Sequence, residues 1–562
     1  MSGLKLEIVL IYSLGLILTS LFIFPSMNYY LGRVDLEVNS YTAWYVSDSL
    51  LSGKIFNKDE FYDTGQFYPF PGSLAQVEMM LVPSLFLYAP AYILTGNHIV
   101  ATEFLTVTAF VLNFISSYFS LKFFSKTKIA ALAGAIIFTF SPPVMTRFFN
   151  GHLEYLSLFF IPPALVFFLK FIEKPSLKSS LAFGLLLVLN LLTNIQLTVF
   201  LMILLIIMFM IRLPFSGKNM HYMTKIFSSL PPVFILLLPV FLLYSPYLKY
   251  LRAEKIQRSL SETAHNSSRI SDYVYGIPQN WLLGNVYKSI SSVRSPQELR
   301  GSFNFAEHTQ FPGFLFTFLL FVYLFQWRKP GKNRYIFKIL AATGFMAILL
   351  SLGPFWDGNG FRLPYYYLQQ LLPFLASSRT PGRIFLAGVL MLIIPAIQVI
   401  DNYFRKPAGS HKKIVMFLIF FLLLAEYWNK PYTFSRRTSS KINFDLQGKK
   451  VLFLPFPPKG NDGYTAKYLS FIPQNRFRMV NGYTGFETQK YTRLKQELSA
   501  DLFSDNWQAK VRELGLDYLI VDRELNEDRD NIYYISGDLL NMLDEPVYQD
   551  NRWQVISLNE QG

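Results

Sequence analysis

Apolar runs occur at about 6–25, 79–95, 99–121, 129–146, 153–171, 180–211, 227–248, 311–327, 336–353, 383–401 and 413–428. Most reach the roughly 20 residues that cross about 30 Å of hydrocarbon as a helix. No single water-soluble core can absorb that much apolar surface. The chain of 562 residues is 52% hydrophobic and only 16% charged, whereas soluble domains carry about 25% charged residues.

The net charge of +15 has two conceivable meanings, a nucleic-acid partner or a cytoplasmic bias of cations around membrane spans. Residues 430–562 hold 18 basic and 18 acidic side chains, so the whole excess belongs to residues 1–429. That distribution argues for a polytopic membrane region, 1–429, followed by a soluble domain, 430–562, and against a nucleic-acid partner. The absence of cysteine excludes disulfides, thiol catalysis and Cys-ligated zinc.

Two runs need interpretation. The run 180–211 is too long for one span and is interrupted by Asn190, Thr193, Asn194 and Gln196, which predicts two short helices meeting at a polar tip. The run 79–95 carries Pro83 and Pro90 and reads as interfacial. With that choice and a cytoplasmic N-terminus, five inner loops collect 18 basic residues, as the positive-inside rule requires. About eleven spans result. The polar loops 26–98, 249–310 and 354–382 then share the extracytoplasmic face with residues 430–562.

The chemistry-bearing residues follow from that topology. Asp35 and Glu37 come soon after the first span, where a carboxylate at the rim of a low-dielectric cavity has the raised affinity for protons that suits a general base; the alternative is a solvated loop acid. The short second outer loop contains Arg147, Gly151, His152 and Glu154. Ionisable residues at a span edge need a cavity or a partner, and the His152/Glu154 pair suits a divalent cation, Mg or Mn, or the orientation of a donor. The competing reading makes Asn150 a helix N-cap with Glu154 in the first turn. Glu307 and His308 return to the membrane surface before the 311–327 run, either completing such a site or capping the next helix. Arg379 and Arg383 begin a late span, where guanidinium groups bind lipid phosphate or anchor to headgroups. No P-loop, Ser-His-Asp order or HExxH occurs.

These residues resemble those of the GT-C superfamily of polytopic glycosyltransferases, which use polyprenyl-phosphate-linked sugars. Asp35, with Glu37 nearby, stands where the family has its catalytic carboxylate. Arg147, Gly151, His152 and Glu154 are similar to the second-loop pattern of oligosaccharyltransferases, with His152 in place of the first acid. Phe305-Ala306-Glu307 resembles the fifth-loop Glu motif. Over its full length the chain also resembles bacterial GT-C-like membrane proteins with an extracytoplasmic C-terminal domain, through Tyr68 to Gly72, Gly151 to Leu153, Arg379 to Arg383, Val451 to Pro455 and Gly482-Tyr483.

The resemblance implies an inverting, GT-C-type glycosyltransferase of the cell membrane that moves a sugar from a polyprenyl-phosphate donor to a glycan, lipid or protein acceptor outside the cytoplasm, in glycan biosynthesis at the cell envelope. In that reading Asp35 or Glu37 is the base, and His152, Glu154, Glu307 and His308 orient the donor or hold a metal. Arg147, Arg379 and Arg383 bind the lipid phosphate. A transporter or flippase of a lipid-linked saccharide and a catalytically silent scaffold are the rival readings. In the tail, the apolar runs 451–454 and 516–521 predict buried strands of a small α/β domain, with Tyr464, Tyr468, Tyr483 and Trp507 as either core or stacking surfaces. The cysteine-free chain makes the topology testable. Lys174→Cys is expected to react with a membrane-impermeant maleimide only after permeabilisation, and Lys467→Cys in intact cells; the reverse pattern would invert the orientation.

Overall fold

The computed structural model describes residues 3–27, 34–213, 220–254, 258–291, 307–327, 334–356, 360–406, 409, 411–430, 442–456, 463, 465–485, 487–500, 502–524 and 545–558. Of the motif before the 311–327 run, Phe305 and Ala306 lie outside the described residues, as does Tyr464. Two compact units emerge. One comprises 1–30, 103–244 and 256–433; the other comprises 31–102, 245–255 and 434–562.

The first unit is helical. Across the described residues of the chain, six helices are long and apolar enough to cross a membrane: Leu4–Met27, His98–Leu121, Lys128–Phe149, Ile195–Arg212, Tyr222–Leu243 and Pro381–Arg405. Shorter apolar helices accompany them, among them Leu177–Leu191, Phe314–Phe325 and Tyr335–Ser351. The 180–211 run does split, and Asn194 caps the second helix by accepting a hydrogen bond from Leu197 N at 2.7 Å. Two expectations are corrected. The run 153–171 opens with a 3-10 turn at Leu153–Tyr155 and becomes α-helical only at Ile161, where Pro162 and Pro163 lack the N–H groups that a first turn leaves unpaired anyway. Asn150 ends the Pro142–Phe149 helix instead of starting the next, and Gly151 follows at φ +76°.

The Ile384–Arg405 helix is the axis of this unit, buried along nearly all its length against the Arg334–Ser351, Phe314–Phe325, Lys128–Phe140 and Ile195–Arg212 helices. Small residues permit the closest crossing. A Cβ on Gly344 would stand 2.4 Å from Leu392 Cγ, and one on Gly388 2.4 Å from Ala347 Cβ. Without water to drive apolar association in lipid, such backbone proximity supplies the packing. At the other end of the axial helix the fully buried Asp401 accepts hydrogen bonds from Lys126 N at 3.0 Å, Thr127 N at 2.8 Å and Thr127 Oγ1 at 2.8 Å. One helix thus caps the start of another.

The second unit contains a five-stranded sheet in the order β2-β1-β3-β5-β4. Strands β1 (Lys450–Leu454), β2 (Arg478–Met479) and β3 (Tyr518–Asp522) pair in parallel, whereas β5 (Trp553–Ser557) is antiparallel to β3 and to β4 (Tyr548–Gln549). The small α/β domain is therefore present, with both apolar runs as strands. Residues 65–68 are part of it. Met479 N donates to Gly65 O at 2.8 Å and Tyr68 N to Met479 O at 3.0 Å, and Phe67 enters the core beside Tyr491 and Trp507. Gly482 is required there, since a Cβ would fall 2.4 Å from the Phe67 ring. Tyr468 and Trp507 are core residues, 0% and 3% exposed.

Replacing Asp401 by alanine strands two backbone N–H groups and a hydroxyl in the helical unit. The expected loss is about 2 to 3 kcal/mol, read as a lower Tm of the detergent-purified protein.

Candidate functional site

The site is built around Glu307, whose side chain is 0% exposed. Arg147, equally buried at the end of the Pro142–Phe149 helix, brings Nη1 to 2.7 Å from Glu307 Oε1. Arg383, at the start of the axial helix, donates to the same oxygen from Nε at 2.9 Å and Nη2 at 2.6 Å. Two guanidinium groups thus converge on one carboxylate.

A second layer positions Arg383. Its Nη1 donates to Gln196 Oε1 at 3.0 Å and to Tyr155 Oη, and its Cζ lies 4.2 Å from the centre of the Tyr155 ring. Gln196 in turn donates from Nε2 to Thr380 Oγ1 at 3.3 Å and to Ser378 Oγ. Gln196 occupies the polar tip of the split run, and Asn194 Nδ2 donates to Glu154 O at 2.9 Å, tying that tip to the second loop. His152 Nδ1 lies 3.2 Å from Glu154 Oε1. Glu154 is close enough to act electrostatically on Arg383, and His152 on Glu307.

Burial alone would push the Glu307 carboxyl up, but attraction by Arg147 and Arg383, with the Arg383 hydrogen bonds, outweighs it and holds the group well below the usual carboxylate range. Counted with Glu154, which acts on Arg383, the cluster pairs two guanidinium groups with two carboxylates. Arg147 Nε and Nη2 and Glu307 Oε2 have no hydrogen-bond partner among the described residues. Such groups are expensive to leave unmatched, and the Arg147 N–H groups among them are donors of the kind that bind anions.

The structure therefore gathers Arg147, His152, Glu154, Glu307 and Arg383. The other candidates stand elsewhere. Arg379 Nη1 lies 3.7 Å from Glu262 Oε1, beside Arg258 Nη1 at 3.1 Å from the same oxygen. His308 Nδ1 meets Asp272 Oδ2 at 2.8 Å, and Asp272 also accepts from Arg269 N at 2.8 Å and Tyr275 Oη at 3.2 Å. Consecutive Glu307 and His308 thus serve different partners. Asp35 and Glu37 belong to the second unit, in the first turn of the Val34–Leu51 helix, with Glu37 buried. Tyr155, Ser378, Thr380 and Asp272 were not singled out in the sequence. Gln196 was visible there only as an interruption of an apolar run.

The gathered residues do not suit a divalent cation at Glu307, because two guanidinium cations already hold its Oε1. Among the described residues no group of three or more His, Asp or Glu side chains is arranged to hold a metal ion.

Residues 94–426 match the family model described as Domain of unknown function (DUF6311). The chain belongs to the DUF6311 family. The DUF6311 span contains every residue of the Glu307 cluster, whereas Asp35 and Glu37 precede it. A comparison with curated proteins gave no match. Among solved structures, the arabinofuranosyltransferase AftD from Mycobacteria is similar at TM-score 0.53 and 12% identity, over 98% of this chain and 41% of its own. The archaeal oligosaccharyltransferase AglB from Archaeoglobus fulgidus, solved with an inhibitory peptide and a dolichol-phosphate, aligns at TM-score 0.39 and 12% identity over 93% of this chain and 70% of its own. The AftD likeness places this DUF6311 protein in the GT-C-like fold, and the chain spans less than half of that structure.

The Glu307 ion pairs have a definite pH signature. The folded carboxyl binds its proton less readily than the unfolded one, so its contribution is fully present above the ordinary value of 4.5 and declines as pH falls below it toward the folded value. Glu307→Gln leaves two buried arginines without their carboxylate. It should lower stability by about 3 to 5 kcal/mol at neutral pH and flatten the acid side of the stability–pH curve, measured by thermal unfolding across pH.

Proposed function

We propose that this DUF6311 protein is a GT-C-type membrane glycosyltransferase that transfers a sugar from a polyprenyl-phosphate-linked donor to an extracytoplasmic glycan, lipid or protein acceptor. The observation that carries the reading is the buried cluster in which Arg147 and Arg383 meet Glu307, with Arg147 N–H groups unmatched among the described residues. The fold shared with AftD supports it.

The lipid phosphate departs as an anion when the bond from the anomeric carbon to its oxygen breaks. A pre-ordered guanidinium stabilises that developing charge without reorganising, which is the economical way to lower such a barrier. Glu307, Tyr155 and Gln196 hold Arg383 in position for it. The new bond forms between the acceptor oxygen and the anomeric carbon, and the acceptor's proton passes to a carboxylate. By the sequence resemblance, Asp35 is the candidate for that carboxylate, with Glu37 as the alternative. His152 and Glu154 orient the donor, and one displacement of this kind inverts the anomeric centre.

The test is transfer from a radiolabelled polyprenyl-phosphate sugar in membranes, alongside glycan profiling of intact cells lacking the protein. Arg383→Gln is expected to lower transfer by about 10² to 10³, and Asp35→Asn to abolish it with normal expression. Unchanged glycans in the deletion strain, or movement of a lipid-linked saccharide without a new glycosidic bond, would overturn the reading.

A further inference from the structure

Between the helix that ends at Ser351 and the span that begins at Pro381 the chain is not uniformly polar. From Leu363 to Ser378 it contains no Asp, Glu, Lys, Arg or His, where a water-exposed stretch of that length would hold about four charges. Three consecutive tyrosines, Tyr365 to Tyr367, lie within it, and Arg362 and Arg379 stand at its two borders. It folds as a short helix, Pro364–Leu371, continued by a 3-10 turn, Pro373–Ser377. One side packs against the Arg334–Ser351 helix, with Tyr365 and Gln369 buried. The other side is bare. Tyr367 and Leu371, four apart on one helix face, are 59% and 76% exposed, and Phe374 in the turn is 52% exposed.

Hydrogen bonds set the level of this element in the helical unit. Leu363 N donates to Pro354 O at 2.9 Å, three residues past the Arg334–Ser351 helix. At the far end, Gln196 in the first turn of the Ile195–Arg212 helix donates from Nε2 to Ser378 Oγ and, at 3.3 Å, to Thr380 Oγ1. The Pro381–Arg405 span begins one residue later. The element is therefore held beside the ends of three membrane helices, the level at which hydrocarbon gives way to headgroups. Aromatic side chains concentrate at that level, and a helix with an apolar face lies in it with that face in lipid.

We propose that residues 364–377 form a membrane-surface element, with Tyr367, Leu371 and Phe374 seated in the boundary between phospholipid headgroups and acyl chains. Lipid removes the bare apolar face from water without requiring a shaped partner. A protein partner is the poorer match, since specific interfaces engage about 20 residues a side and this face offers three apolar side chains. The same element sets the depth of Ser378 and Thr380, which accept hydrogen bonds from the Gln196 that orients Arg383. The inference goes beyond the glycosyltransferase reading and does not rest on it, because a transporter or scaffold with this element would meet the leaflet in the same way.

The full chain has no cysteine, so Leu371→Cys and Phe374→Cys can each carry a single bimane label at an exposed position. The labelled proteins are reconstituted into nanodiscs of phosphatidylcholine and phosphatidylglycerol, with gel filtration against the parent chain to confirm folding. Quenching is measured with iodide in the water and with phosphatidylcholine spin-labelled at the headgroup, high in the acyl chain or near the chain end. Lys490→Cys, exposed on the C-terminal α/β domain, gives the water reference, and Phe318→Cys, exposed on the Phe314–Phe325 helix, gives the hydrocarbon reference. Both test labels are expected to be shielded from iodide relative to Lys490→Cys and quenched most by the spin label high in the chain, at a depth of about 5 to 10 Å below the headgroup boundary. Iodide quenching as strong as at Lys490→Cys would overturn the proposal in favour of a solvated loop. Shielding from iodide and spin-labelled lipid alike would overturn it in favour of a second copy covering the face, and the depth profile of Phe318→Cys would overturn the interfacial placement.

Discussion

The burial of Glu307 between two arginines is the constraint to which the neighbouring helix ends answer. Removing a carboxylate and a guanidinium from water costs several kcal/mol for each ion, recovered only with close contact and further hydrogen bonds. Arg383 meets that requirement through two bonds to Glu307 Oε1, the Tyr155 ring and Gln196. Arg147 meets it only in part. Its Nε and Nη2 have no hydrogen-bond partner among the described residues, and neither has Glu307 Oε2.

Four stretches of chain have to arrive together for this to hold: the end of the Pro142–Phe149 helix, the polar tip at Asn194 to Gln196, residue 307, and the turn at Pro381 to Arg383. The helix packing brings them. Gly344 and Gly388 let the axial helix approach its neighbour closely, and Asp401 secures the opposite end by capping the Lys128–Phe140 helix. Polar groups such as Asn194, Gln196 and Asp401 are thus structural commitments: they cap a helix or orient an arginine, as a medium without water requires.

Much of this was legible in advance, and for identifiable reasons. Hydrophobic run length marked the helices, and the interruption at Asn190 to Gln196 marked the break, because unpaired polar groups within a span must have partners. The short apolar runs 451–454 and 516–521 marked β1 and β3. The site was legible as residue types, since arginine, glutamate and histidine at span edges are costly without a purpose. Their pairing was not. Nothing local distinguishes Arg379, which joins Glu262, from Arg383, which joins Glu307, although the two are only four residues apart. Nor does adjacency show that Glu307 faces arginines while His308 faces Asp272. The docking of residues 65–68 onto the sheet was equally hidden, because it links positions more than 400 residues apart.

The sequence by itself determined the class of the protein: a helical membrane region, a polar C-terminal α/β segment, and a short register of ionisable residues at helix ends. Those properties are sums over local composition and periodicity, which a linear reading captures. The tertiary structure alone decided which guanidinium meets which carboxylate and which polar side chains support them. These depend on distances between remote segments, fixed by helix packing and by glycines at crossings, and a distance of that kind has no local signature.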